Sequence, residues 1–233
     1  MSRRKSLVNT VADDLLARII DGRFAPGDAL PTEAELGAEF DVSRVTVREA
    51  LRTLSARGIV RVLSGVGSRV APVEQWRSVS DALRFRAAHG DDATVAEQLI
   101  STRRLIECEA AALAAPLIDE AALEECGRCI EEMVAGSAAA DVDRFVVADL
   151  RFHEVILTAS GNLFLAVLLA PLTEVLAERR AQTSRVPEIQ EHAIAEHRNV
   201  LGALRAGDPA AARAAMDQHL QQTLEDFRHY VVG

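Results

Sequence analysis

The stretch DVSRVTVREALRTL, residues 41–54, narrows the fold more than any other part of this 233-residue chain. Arg44, Arg48 and Arg52 recur every fourth residue, which places them on one face of a helix. Val45, Val47, Leu51 and Leu54 supply apolar anchors elsewhere on its circumference. Ser43 is a good N-cap, because its hydroxyl can accept from the free amides of the first turn. A short helix that is basic on one side and anchored on another suits the DNA major groove. Alone, the stretch reads as readily as a solvated helix with surface arginines, so its neighbours decide.

Those neighbours complete a motif. Val8, Val11, Leu15, Leu16 and Ile19 form one stripe of a first helix, which Asp21-Gly22 ends. Pro31 to Glu35 opens a second helix, and Thr32 and Glu35 have capping-box spacing. Asp41-Val42 then turns into the arginine-bearing helix, giving a helix-turn-helix. After Gly58 the pattern becomes extended. Residues 59–63 (IVRVL) and 69–70 flank the glycine-rich turn 64–68 (SGVGS), which predicts a β-hairpin wing. Two glycines at the tip allow close backbone approach to a phosphate, or serve the hairpin turn alone.

Charge divides along the chain. The net charge is −9, yet residues 1–75 hold 11 Lys/Arg against 10 Asp/Glu and residues 76–233 hold 15 against 25. The acidity therefore belongs to the second part and does not argue against nucleic acid binding by the first. No apolar run is long enough for a membrane span. The basic start MSRRKSLVNT lacks the apolar core of a secretory signal. Cys108, Cys126 and Cys129 are odd in number and fit a reduced, cytoplasmic setting. Cys126 and Cys129 form a lone CxxC inside a helical pattern, which reads as packing rather than redox chemistry or zinc.

The remainder predicts a mainly α protein: a winged helix-turn-helix over 1–72, a linker over 73–92 with one amphipathic helix, and an all-α antiparallel bundle over 93–233. Six helices are expected in the bundle: 95–115 capped by Thr94, 120–134 capped by Asp119, 141–159, 163–182 kinked at Pro171, 187–206, and one from Pro209 to Val231. Asp149 and His153 share a face with Phe145, Phe152 and Ile156, while His197 and His219 lie on apolar stripes of two other helices. Burying such groups without partners is expensive. Three imidazoles and one carboxylate converging on a point make a first-row metal site, open to zinc, nickel, manganese or iron.

The N-terminal motifs resemble the winged helix-turn-helix of GntR-family transcription regulators. The resemblance rests on residues 30–36 (LPTEAEL), 42–51 (VSRVTVREAL), Leu54, Gly58 and 65–68 (GVGS). It implies that Arg44 and Arg48 contact operator DNA, with Ser43, Thr46 and Gly65 nearby. Many relatives carry an arginine where this chain has Ala34, so one contact is expected to be missing. The second half resembles the FCD ligand-binding domain of the FadR subfamily through residues 103–107 (RRLIE), 149–153 (DLRFH), 159–162 (ASGN), 196–198 (EHR) and 206–208 (AGD), through to His219-Leu220. That resemblance implies a divalent metal ion, zinc, nickel or manganese, on Asp149, His153, His197 and His219. It also implies a small organic acid completing the coordination, and Arg103 facing the effector carboxylate.

These readings converge on a homodimeric repressor of double-stranded operator DNA, controlled by a carboxylate effector at the metal, and not an enzyme. A metal-dependent hydrolase or lyase on the same ligands is the main rival. It lacks an acid–base residue placed by motif and leaves the N-terminal half unexplained. A purely structural metal is the third reading.

Overall fold

The computed structural model describes residues 6–63, 67–90 and 92–232. The chain divides into two compact units, Met1–Gly90 and Asp91–Gly233.

The first unit opens with α1 (Leu7–Ile20), whose N-cap Ser6 accepts from the Asn9 amide. In α2 (Glu33–Glu39) the capping box forms: the Thr32 amide donates to Glu35 Oε2 at 2.7 Å, and the Glu35 amide donates to Thr32 Oγ1 at 3.3 Å. The turn into α3 (Arg44–Ala56) passes through Asp41 at φ 50°, a left-handed conformation that aspartate tolerates. Val47, Leu51 and Leu54 are buried on the inner face of α3, but Val45 is 66% exposed. The expected Val45 anchor is thus corrected. It lies two residues from Val47, about 200° round the helix, and cannot share its face.

Strands β1 (Val60–Leu63) and β2 (Gly67–Val70) pair antiparallel, with Val60 opposite Val70 and Leu63 opposite Gly67. The tip between them, with the expected DNA-contacting Gly65, lies outside the described residues. Gly58 is required where α3 ends. Its φ is +76°, and a Cβ there would sit 2.5 Å from the Gln75 carbonyl oxygen. The segment expected as a linker forms a 3₁₀ turn and then α4 (Val79–His89). Its Trp76 and Phe85 meet edge to face and join the core built on α1 and α3, and Arg57 at the end of α3 pairs with the buried Asp81.

The second unit is entirely helical among its described residues. It comprises α5 (Asp92–Ala114), α6 (Glu120–Ala138), α7 (Val142–Ala159), α8 (Leu163–Leu169), α9 (Thr173–Thr183), α10 (Pro187–Arg205) and α11 (Pro209–Phe227). Asp119, Asp141, Asn162 and Asp208 cap α6, α7, α8 and α11 through their side chains. The expected helix 163–182 is two helices. A 3₁₀ turn with Pro171 separates them, because the proline ring removes one backbone donor and crowds the preceding turn. Cys126 and Cys129 are unpaired and sit in the core on the inner face of α6. No helix among the described residues is long and apolar enough to cross a membrane.

Candidate metal centre and nucleic-acid interface

The inner faces of α5, α7, α10 and α11 meet around a polar cluster in an otherwise apolar core. Helical spacing puts Asp149 and His153 one turn apart on α7. His197 comes from α10 and is completely buried; His219 comes from α11 and is 4% exposed. One nitrogen from each of the three imidazoles lies within 4.8 Å of the others. Asp149 Oδ1 stands 3.1 Å from His197 Nε2 and 3.9 Å from His153 Nε2. The four residues expected as ligands are therefore neighbours, with three imidazoles forming the tightest group.

Most of these atoms have nothing to bond. His197 Nδ1 is 2.6 Å from the Ala193 carbonyl oxygen. His197 Nε2 and both nitrogens of His153 and His219 have no aligned hydrogen-bond partner among the described residues. His153 Nδ1 nevertheless lies 2.6 Å from Glu107 Oε2. Burial pushes the His153 imidazolium down to about 4 despite the pull of Glu107. Burial, reinforced by His197 and His153, holds His219 well below the usual value. Both rings are neutral at pH 7, the form that ligates metals. Orphaned, buried imidazole nitrogens beside a carboxylate are the donor set that fits a divalent ion.

Two cations balance the two carboxylates. Arg103 donates from Nε to Glu107 Oε1 at 2.6 Å and from NH2 to Oε2 at 3.3 Å, and both side chains are 2% exposed. Arg180, from α9, reaches Asp149 Oδ2. Burial opposes ionisation of Glu107 and Asp149, but Arg103 with His153 at the first, and Arg180 with His197 and His153 at the second, together outweigh it and hold both carboxyls well below the usual range. Two cavities, of about 40 and 50 Å³, share Arg103, Arg180, Thr183 and Thr223 as lining. Asp149, His219, Gln222 and Asp226 face the first; Leu99, Ile100, Leu176 and Phe227 face the second. A larger groove, of about 520 Å³ between α6 and α7, carries none of these groups.

On the first unit, Ser43, Arg44 and Arg48 are exposed at the start of α3 and Thr46 is half-buried beside them. The Ser43 and Thr46 hydroxyls are 2.9 Å apart. Arg48 donates from Nε and NH2 to the two Glu33 carboxylate oxygens, at 2.9 and 2.6 Å, which lowers the Glu33 pKa. Arg44 has no ion-pair partner among the described residues.

Residues 7–70 match the model of bacterial regulatory proteins of the gntR family, and residues 98–222 match the FCD domain. The chain belongs to the GntR family. It is 34% identical to the HTH-type transcriptional regulator LutR of Bacillus subtilis, over 87% of this chain and 92% of LutR. It is 29% identical to the galactonate operon transcriptional repressor of Escherichia coli, over 85% and 86% of the two chains. Among solved structures it resembles a GntR protein of Streptococcus agalactiae, with a TM-score of 0.53 and 27% identity over 94% of this chain and 99% of the other. This GntR-family chain is a DNA-binding transcriptional regulator; its families and relatives are regulators, not enzymes.

Three participants escaped the sequence-based site. Glu107 and Arg180 are ordinary charged residues in sequence, and the Ala193 carbonyl leaves no trace there at all. The one usable signal is the four-residue spacing of Arg103 and Glu107, which more often marks a surface ion pair.

Proposed function

We propose that this protein is an operator-binding repressor whose DNA affinity is set by a small organic acid completing the coordination of a divalent ion, zinc, nickel or manganese. Asp149, His153, His197 and His219 hold the ion. The observation that carries this reading is the set of buried imidazole nitrogens, His153 Nε2, His197 Nε2 and both of His219, without aligned partners beside a carboxylate. The bound ion supplies a Lewis-acidic anchor for the effector carboxylate.

Charge balance supports an anionic effector. Arg103 and Arg180 already offset Glu107 and Asp149, so a divalent ion adds two positive charges to a desolvated cluster. An incoming carboxylate compensates them in part, within reach of Arg103 and Arg180. Thr183, Gln222, Thr223 and Asp226 offer partners to hydroxyls. Each cavity has room for only a few waters, so a multi-carbon acid must open the wall that the arginines form. Because one relative is a galactonate operon repressor, aldonates belong in the first panel of acids.

In the first unit, Arg44 and Arg48 contact phosphate or guanine, and Ser43, Thr46 and the wing glycine Gly65 lie close to the duplex. The protein acts in the cytoplasm as a homodimer that places two recognition helices in successive major grooves. On α8, Leu163, Phe164, Val167 and Leu168 are each more than half exposed and share one face. A contiguous apolar face of this kind suits a self-complementary contact. Phe164→Asp should convert dimer to monomer in analytical ultracentrifugation; an unchanged dimer excludes this face.

The test of the whole is a thermal-shift screen of metal-loaded protein against small carboxylates, repeated on His197→Ala. An acid that raises the melting temperature of wild type but not of the variant, and releases operator DNA in a gel shift, is the expected result. Metal uptake with no response to any acid would favour a structural ion and refute the effector site.

A further inference from the structure

Arg103 and Glu107 form an ion pair that is sealed inside the bundle rather than solvated on its surface. On a helix surface an i, i+4 pair contributes little. These two are 2% exposed, and burying two charges typically consumes the attraction between them. Stability is weak grounds for keeping such a pair inside, so its surroundings matter. Glu107 Oε2 lies 2.6 Å from His153 Nδ1.

We propose that Glu107, braced by Arg103, is a positioning residue for the metal site: it holds the His153 ring by Nδ1 so that Nε2 faces the ion. This rests on the metal reading above. His197 shows the same arrangement by other means. Its Nδ1 is engaged by the Ala193 carbonyl at 2.6 Å, and its Nε2 faces Asp149 Oδ1 at 3.1 Å. His153 likewise turns Nε2 toward Asp149 Oδ1, at 3.9 Å. Two of the three imidazoles thus have an outer partner on Nδ1, the kind of support that fixes tautomer and ring orientation in metal sites. His219 has none among the described residues. Arg103 performs two tasks. It sets the carboxylate against the His153 ring, with Glu107 Oε2 2.6 Å from Nδ1. Its two-pronged grip also holds both carboxylate oxygens, so Glu107 does not turn inward to become a ligand.

The test uses full-length protein stripped with a chelator and titrated with cobalt(II), in competition with a chromophoric chelator. Glu107→Gln keeps the shape but removes the charge. The double variant Arg103→Met with Glu107→Met removes both charges and leaves no buried arginine unpaired, so it folds if the single variant does not. Both should bind cobalt about 10–100-fold more weakly than wild type. The visible cobalt band should also change, because a freed His153 ring alters the ligand field. Affinity within twofold of wild type in either folded variant overturns the proposal. Weaker binding with an unchanged band also overturns it, since the pair would then act only through folding. If wild type takes up no cobalt, or His197→Ala takes up as much, the metal reading falls and this inference falls with it.

Discussion

Replacing Arg180 by methionine should destabilise the metal-free protein strongly and the metal-loaded protein hardly at all. Arg180 is the cation on Asp149 Oδ2, and the Asp149 side chain is 7% exposed. Without that partner the carboxylate is a lone buried charge, and removing one member of a buried pair costs about 3–5 kcal/mol. The molecule can limit the loss by protonating Asp149. At pH 7, about three units above an ordinary aspartate value, that costs about 4 kcal/mol, so the two routes agree in size. For a chain of this length each kcal/mol shifts the melting temperature by about 2–4 °C, so chelator-treated Arg180→Met should melt roughly 10 °C below wild type. A divalent ion supplies the missing positive charge. Saturating zinc should therefore raise the melting temperature of the variant further than that of wild type and close most of the gap. Differential scanning calorimetry of both proteins, with chelator and with zinc, gives the four values needed. Equal metal-free stability would refute the claim that Arg180 neutralises Asp149. An equal gap in both states would refute the claim that metal and arginine act on one carboxylate.

Acid should unfold the metal-free second unit early. His153 is depressed to about 4 and His219 is depressed as well, so between pH 6.5 and 4 the unfolded chain binds more protons and stability falls as pH falls. For His153 alone that loss is about 3 kcal/mol. Glu107 and Asp149, also depressed, contribute stability that is present above pH 4 and lost below it. Urea titrations of chelator-treated protein from pH 7 to 4 should show this decline, and a flat profile would contradict it. Gly58→Ala should destabilise the first unit by about 2–3 kcal/mol in urea, from its left-handed backbone and the clash with Gln75; a loss below 1 kcal/mol would mean that the turn adapts freely. Arg44→Ala should weaken binding to any duplex and lower the slope of log affinity against log salt by about 1 per subunit, whereas an unchanged slope would place Arg44 off the phosphates.

The fold was legible wherever local chemistry decides it. The Thr32–Glu35 capping box and the Asp119 cap of α6 depend on residues within a few positions of each other, and each formed as the spacing predicts, whereas the kink expected at Pro171 is a full break between two helices. The helix expected to start after Thr94 starts at Asp92, and the one expected to stop at Val134 runs to Ala138, because helix ends respond to packing as well as to propensity. Val45 shows how apolar character alone misleads, since only the face a residue occupies decides whether it anchors.

The candidate site divides along the same line. Asp149 with His153 is a local pair, and His197 and His219 stand on apolar stripes, so burial of all four follows from periodicity. That they approach one another is a fact of tertiary packing, which the sequence supports only through family resemblance. Arg103 and Glu107 show why the surrounding support is harder to read. Their spacing is identical to that of a solvated pair such as Arg128 with Glu124, which is exposed. Only the packing of α7 against α5 turns the first pair inward and brings His153 Nδ1 to Glu107. A carboxylate on a helix two removed in sequence becomes a partner of an imidazole because the solvent between them has been excluded, and solvent exclusion is a property of the assembled core rather than of any stretch of chain.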